Sequence, residues 1–448
     1  MELKGRGVVV IGLGRSGVAA AMLCARNGAR VIASDTRDRT SLGAAAVQLE
    51  QAGASLFLGG HDAVPWNDAD LAVVSPGVPA FPALAAFERS GREVIGELEL
   101  ASRFIHAPIA LIGGTNGKST VTTWIADMLS HAGLRVFAGG NLGDPPAESV
   151  ERELDVFVLE ISSFQAERVP TLHARASALL NVTDDHLDRY ASFDDYAHAK
   201  GNPFANMTAD DVAVIPAGDA VCLREASRGG ARKAFFGAGG DVTVDGAWIL
   251  DTVRGDRYDL SSLRLPGLHN QSNACASIAM AAELGASRDA IAASLASFRG
   301  LAHRMAFVGE VRGVRFYDDS KGTNVGASAA ALRGLSEPKA VLIAGGRDKL
   351  GSYDALVDAL RERGRALVVI GEAAERIAGA AQGVLPIVRA ATMQEAVRKS
   401  LDLALGGDAV LLSPACSSYD MFRDYHHRAE VFCQAVGELV SEAAEGAR

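Results

Sequence analysis

The sequence predicts an α/β protein built from several open, mainly parallel sheets. Three observations carry this. Short apolar runs each stop at a glycine-rich or polar turn, as strands buried on both faces do. Two of those turns, Gly12-Leu-Gly-Arg-Ser-Gly17 and Gly113-Gly-Thr-Asn-Gly-Lys-Ser119, lead into helical patterns. The chain has 448 residues, 48 of them glycine, which exceeds one ordinary core and points to two or three domains.

Composition narrows the class. Hydrophobic residues make up 48% and charged residues 22%, the balance of a soluble globular protein. A net charge of −10 argues against a nucleic-acid partner, which requires a basic surface. The five cysteines (Cys24, Cys222, Cys275, Cys416, Cys433) are scattered and form no C-x-x-C pair. That fits a reducing cytoplasm and no metal–thiolate site. Lys4 and Arg6 before an apolar run imitate a signal peptide, but Arg15 and three glycines interrupt it. No stretch is long and apolar enough to span a bilayer, so no membrane partner is expected.

In the first segment, Val8 to Ile11 reads as a strand and Gly12 to Gly17 as a full G-x-G-x-x-G. A helix runs from Val18 to about Asn27, with Gly28 as its C-cap. A second strand, Arg30 to Ala33, leads to Asp35, where a dinucleotide fold binds ribose. Taken alone, this is an NAD-dependent dehydrogenase. Thr36 and Arg37 pull the other way, since a hydroxyl and a cation suit a diphosphate or a uracil-sugar. The segment continues through Leu71 to Val74 and the turn Ser75-Pro-Gly77, and closes near Arg92 to Gly96.

The central segment opens with the strand Pro108 to Ile112 and the loop that ends in Gly117, Lys118, Ser119 and Thr120. This is the layout of a phosphate-binding loop. Backbone N–H groups and the helix N-terminus face phosphate oxygens, a lysine adds charge, and a hydroxyl can hold Mg²⁺. Ile112 stands where the usual first glycine would be, so the loop is one residue short. Hydride transfer has no use for such a loop. Asp155 to Leu159 reads as a buried strand carrying Glu160 at its C-terminal tip, where a Mg²⁺ ligand is needed. Ala178 to Leu180 is another strand, followed by Asn181-Val-Thr-Asp-Asp-His186. Imidazole, carboxylate and hydroxyl from His186, Glu160 and Ser119 can hold a divalent ion at one sheet edge. Lys200, in a helical stretch, reads from the residues alone as a surface lysine. Asn270 and Asn273 lie one turn apart at the start of a helix running to about Leu284. They suit an adenine edge or a ribose, and simple N-capping by Asn270 stays open.

In the last segment, His303 and Arg304 are available to phosphates. Val314 to Tyr317 is a strand, and Asp318-Asp-Ser-Lys-Gly-Thr-Asn324 is a polar loop. Asp319, Lys321 and the Ser320 and Thr323 hydroxyls suit a phosphoryl group under transfer. Strands at Ala340 to Ala344, Ala366 to Ile370 and Ala409 to Leu412 end in further polar turns. Lys349 stands at one of these strand tips, and Ser418 and Tyr419 follow the strand ending at Leu412.

The ordered set Gly114-Thr-Asn-Gly-Lys-Ser119, Glu160, Asn181-Val-Thr-Asp-Asp-His186, His269-Asn-Gln-Ser-Asn273, His303-Arg304, Asp319-Ser-Lys-Gly-Thr-Asn324 and Ser413-Pro-Ala-Cys416 resembles the Mur ligase family over essentially the whole chain. Gly12 to Gly17, Asp35-Thr-Arg37, Ser75-Pro-Gly77 and the Ser413-Pro-Ala-Cys-Ser-Ser418 stretch resemble its D-glutamate-adding branch. The Asp-Asn-Pro-Arg motif of the diaminopimelate- or lysine-adding branch is missing. The family's Lys-Ala-Thr-Asn is Lys321-Gly-Thr-Asn324 here, and Tyr419 and Tyr425 replace other apolar or aromatic residues.

The resemblance implies three domains: a Rossmann-like domain for the UDP-sugar (1–95), a P-loop-type ATPase domain (96–300) and a C-terminal Rossmann-like open sheet for the amino acid (301–448). It implies an ATP-dependent ligase joining UDP-N-acetylmuramoyl-L-alanine to D-glutamate, with ATP and two Mg²⁺ ions, in a cytoplasmic monomer. ATP would lie against Gly114, Thr115, Asn116, Gly117, Lys118, Ser119 and Thr120, with Asn270, Asn273, Arg304 and Asp319 beyond. The UDP-substrate would lie against Arg15, Ser16, Asp35, Thr36, Arg37 and Ser75, with Asn141, Ser162 and Gln165. Thr323, Lys349, Ser418 and Tyr419 would hold the amino acid. Lys118, His186, Lys200 and Lys321 would carry the catalysis. Lys200 matches the family's carbamylated lysine, which joins Ser119, Glu160 and His186 as a metal ligand.

Overall fold

The computed structural model describes residues 1–185, 189–265, 267–301 and 303–446, with backbone only for 444–446. Three sheets carry the chain. The first contains β1 (Gly7–Ile11), β2 (Arg30–Asp35), β3 (Ser55–Leu58), β4 (Leu71–Val74) and β5 (Glu93–Gly96), in the order β3-β2-β1-β4-β5, all parallel. The second contains β6 (Ile109–Gly113), β7 (Val136–Gly140), β8 (Val156–Glu160), β9 (Ala176–Leu179), β10 (Val212–Pro216) and β11 (Arg232–Phe236). It adds β12 (Val242–Asp245), β13 (Trp248–Asp251) and β14 (Asp256–Asp259), in the order β14-β13-β12-β11-β10-β9-β6-β8-β7. Only the outer β12–β14 part is antiparallel. The third contains β15 (Ala306–Val311), β16 (Val314–Asp318), β17 (Ala340–Gly345), β18 (Gly364–Ile370), β19 (Ile387–Arg389) and β20 (Ala409–Leu412), in the order β15-β16-β20-β17-β18-β19.

The chain divides into two compact units. One comprises residues 1–182, 197–262 and 274–296 and holds the first two sheets; the other comprises 183–196, 263–273 and 297–448 and holds the third.

Burial on both faces explains the apolar runs. In β1, Val8 and Val10 pack into one core, while Val9 and Ile11 pack into another on the opposite face. β17 divides likewise: Ala340, Leu342 and Ala344 face one core, Val341 and Ile343 the other. A valine or isoleucine fully removed from water contributes about 1.5–3 kcal/mol. These strands therefore need helices on both sides, and their polar tips become the only places for chemistry. The helix after β1 begins earlier than the sequence suggests, at Arg15. A Cβ on Gly17 would lie 1.8 Å from the Gly12 carbonyl oxygen, so only glycine lets this helix approach the strand end.

Within the first unit, the helix Glu97–Ser102 ties the first sheet to the second. Glu99 accepts from the backbone N–H groups of Thr171 and Leu172. Glu97 accepts from the Ala147 N–H at 2.9 Å. Burial pushes the Glu97 carboxyl up to about 8, against the pull of that N–H. A carboxyl raised in the folded state contributes stability below its unfolded value, near 4.5, and loses it as pH rises through about 8. Glu97→Gln keeps the acceptor and removes the titration. The decline in urea midpoint between pH 5 and about 8 should therefore be shallower in Glu97→Gln than in wild type. Equal slopes would mean that Glu97 does not gain a proton on folding.

Candidate active site

The phosphate loop lies between β6 and the helix Lys118–His131, at the C-terminal edge of the second sheet. Gly117 stands at the helix start in the left-handed conformation (φ 86°) and, as glycine, has no side chain with which to cap the helix. The helix's own bonding begins at Val121 N–H to Gly117 O. The first turn thus presents N–H groups in the manner that favours anions. Ser119 and Thr120 are buried there. Lys118 folds back, with Nζ 2.8 Å from the Thr115 carbonyl.

Lys200 is not a surface lysine. It is 5% exposed, and its Nζ donates to the Gly114 carbonyl at 2.7 Å. Glu160 is 2% exposed at the tip of β8. Asn141 Nδ2 donates to its Oε1 at 2.6 Å, while Oε2 is buried with no hydrogen-bond partner among the described residues. A buried carboxylate oxygen left in this state costs several kcal/mol unless a cation meets it. That, with the buried hydroxyl of Ser119, fits Mg²⁺ beside the loop. His186 lies outside the described residues.

The loop is also held from β9, which the sequence reading missed. Asn181 Oδ1 accepts from Thr115 N–H (3.1 Å) and Asn116 N–H (2.8 Å), and its backbone carbonyl also accepts from Thr115 N–H. Thr115 and Asn116 thus direct their N–H groups at Asn181. The available signal was position alone: Asn181 directly follows the strand beside the glycine loop.

In the first sheet, Asp35 is fully engaged. Its carboxylate accepts from Leu13 N–H (2.6 Å), Arg37 N–H (2.8 Å), and Arg37 Nε and Nη2 (3.0 and 2.8 Å). Burial pushes this carboxyl up, but the bonds from Arg37 and Leu13 outweigh it and hold it at about 2. No oxygen is left for a ribose, which removes the main support for a dehydrogenase. Ser75 Oγ donates to the Gly12 carbonyl (2.7 Å). Arg15 is exposed and pairs with Asp144 (2.6 Å) across to the second sheet, and Thr36 is exposed beside Arg37. Ser16 is half-buried in the first turn of its helix. Ser162 and Gln165 form a reciprocal capping box on the helix after β8.

The second unit gathers the tips of β16, β17 and β20. Asp318 accepts from His303 Nδ1 (2.6 Å) and Ser320 N–H (2.9 Å). Asp319 is buried and accepts from the Ser413 hydroxyl (2.6 Å). Burial pushes its carboxyl up to about 7, against the Ser413 bond and the charge of Arg304. Lys321 Nζ lies 3.9 Å over the Tyr425 ring. Arg428, fully buried, donates to the Ser320 and Cys416 carbonyls, tying the Lys321 loop to the turn after β20. Thr323 is half-buried, and its N–H bonds to the Lys321 carbonyl.

Lys349 is not the solvated loop lysine that its position allows. Its Nζ pairs with Asp185 at 3.0 Å, and Asn324 Nδ2 approaches the same carboxylate at 3.4 Å. Ser418 is buried, whereas Tyr419 is 67% exposed. Asn270 and Asn273 bond to each other (3.2 Å), but their helix starts at Leu268, so Asn270 lies inside it and is not its N-cap.

A phosphate loop beside a buried, partly unsatisfied carboxylate, on a parallel sheet, defines a nucleotide-phosphate enzyme. The chain belongs to the Mur ligase family. Three family models match it in order: the MurD-like N-terminal domain over residues 6–96, the middle domain over 112–281, and the glutamate ligase domain over 303–416. The UDP-N-acetylmuramoylalanine–D-glutamate ligase of Geobacter metallireducens is 43% identical over 449 residues, covering 98% of this chain and 99% of its own. That of Anaeromyxobacter dehalogenans is 44% identical over 451 residues, covering 96% and 97%. The crystal structure of UDP-N-acetylmuramate-alanine ligase from Thermotoga maritima shares the fold, with a TM-score of 0.61 at 19% identity over 97% of this chain and 99% of that one. Among the described residues, no helix is long and apolar enough to cross a membrane.

Proposed function

We propose that the chain joins D-glutamate to the terminal carboxylate of UDP-N-acetylmuramoyl-L-alanine at the expense of ATP, in peptidoglycan precursor synthesis. The full-length identity to relatives bearing that activity in their names carries the reading. Family membership brings ATP and Mg²⁺ with it.

A carboxylate does not acylate an amine at neutral pH, because its oxygen is a poor leaving group. In the proposed reaction a carboxylate oxygen attacks the γ-phosphorus of ATP, the bond to the β–γ bridging oxygen breaks, and ADP leaves. The glutamate nitrogen then attacks the acyl carbon. Phosphate departs with the carboxylate oxygen, and the amine loses a proton. Lys118 and Lys321 offset charge on the phosphoryl group as it transfers. Ser119, Glu160, His186 and a carbamate on Lys200 would hold two Mg²⁺ ions, which when bound neutralise phosphate oxygens. Asn270 and Asn273 would contact the nucleoside, with Arg304 and Asp319 nearer the phosphates. The UDP-substrate belongs to the first sheet, around Arg15, Ser16, Thr36, Arg37 and Ser75. Three domains divide the work: 1–95 for the UDP-sugar, 96–300 for ATP and 301–448 for the amino acid. The enzyme works in the cytoplasm as a monomer.

ADP release should require both acceptor and amino acid, and ¹⁸O placed in the acceptor carboxylate should appear in released phosphate. Label confined to the peptide product would exclude the acyl phosphate.

Lys349 would bind the side-chain carboxylate of glutamate, with Thr323, Ser418 and the backbone of Tyr419 near the remaining polar groups. Removing a charge partner from a carboxylate costs about 1.5–3 kcal/mol, so Lys349→Ala should raise the KM for glutamate by about ten- to hundredfold. Steady-state kinetics with D- and L-glutamate check this. An unchanged KM would take Lys349 out of the site, and a wild-type preference for L-glutamate would overturn the substrate.

A further inference from the structure

The Asn181 side chain meets the phosphate loop as an added strand would. Its Oδ1 accepts the N–H of Asn116 (2.8 Å) while its Nδ2 donates to the carbonyl of the same residue (3.1 Å). The same Oδ1 accepts from Thr115 N–H (3.1 Å), and the Asn181 main-chain carbonyl lies 2.9 Å from that nitrogen. Just upstream, Leu180 N–H donates to Gly113 O, and Gly114 packs so closely that a Cβ there would sit 3.1 Å from Leu180 Cβ. The loop is therefore fixed on the β9 side by paired backbone groups. Two of its N–H groups are taken out of phosphate binding, which leaves that task to Gly117 and the first turn of the helix.

We infer that Asn181 is a positioning residue for ATP. By pairing both main-chain groups of Asn116, it sets the angle at which Gly117 and the helix N-terminus meet the nucleotide phosphates. Without that side chain, the Asn116 N–H would compete with the helix turn for phosphate oxygens, or would turn to water and carry the loop with it, while Thr115 N–H keeps the Asn181 main-chain carbonyl. The inference rests on ATP binding at the Lys118 loop, as proposed above.

Two variants separate hydrogen bonding from simple space-filling. Asn181→Ala removes the side-chain contacts. Asn181→Asp keeps the shape and one acceptor but sets an oxygen against the Asn116 carbonyl where Nδ2 donated. Calorimetry with ADP and Mg²⁺ should show binding weakened about tenfold or more in both variants. Binding of UDP-N-acetylmuramoyl-L-alanine should stay within about twofold, and the KM for ATP should rise with that for glutamate unchanged. Wild-type ADP affinity in Asn181→Asp would reduce the residue to a filler and overturn the inference, as would wild-type affinity in Asn181→Ala. Because ADP binding is read directly, a wild-type protein that binds ADP but forms no amide would sink the proposed reaction and leave this test intact.

Discussion

Lys118→Ala should lose amide synthesis by about 100- to 1000-fold, the usual consequence of removing a fixed charge from a developing anion. The geometry gives the reason for a large effect. Lys118 opens a helix whose N-cap is glycine and offers no capping side chain, and its Nζ already reaches over the loop to Thr115 O. No other lysine opens that helix, whose first turn continues with Ser119 and Thr120. The UDP-substrate is proposed to use the first sheet, so its binding measured by calorimetry should be nearly unchanged. Equal loss of both would mean that the two ligands are not divided between sheets as proposed.

Lys200→Ala should be about as damaging, for a different reason. A buried lysine amine bonded to the Gly114 carbonyl marks a site built around this side chain. The carbamate proposed there, formed from the amine and CO₂, would add an acidic group at the loop that follows β6, the strand paired with the one carrying Glu160, whose Oε2 has no hydrogen-bond partner among the described residues. Deleting the side chain leaves a cavity near the loop that a short-chain carboxylate can enter. Activity should therefore be close to zero and recover partly as acetate or formate is added. Full activity without supplement would remove Lys200 from the metal site. Lost activity without any rescue would make it a tether of Gly114 instead.

What could be read from the sequence follows from where burial acts. β1, β6, β8, β17 and β20 are buried along their length, so they appear as apolar runs whose last residue marks the sheet edge. Glu160 and Lys118 were placed that way. The partners of those groups were not legible. Lys349 meets Asp185 across 164 residues, and Asn181 meets Asn116 across 65. Such pairings are set by which strand tips adjoin, and no local pattern records that. Asn141 illustrates the limit: the resemblance sets it against the UDP-substrate, and no local pattern records that its amide donates to Glu160. The burial of Lys200 was invisible because its helix carries acidic residues and reads as exposed; only family resemblance singled it out.

A carboxylate that already holds four donors has nothing to offer a fifth. The first sheet has the outline that elsewhere recruits nicotinamide dinucleotides. Here Arg37 and Leu13 occupy the recruiting acid from within. The first sheet is thereby left without the free acid that would hold a dinucleotide's ribose hydroxyls, and an intramolecular contact is what withholds it.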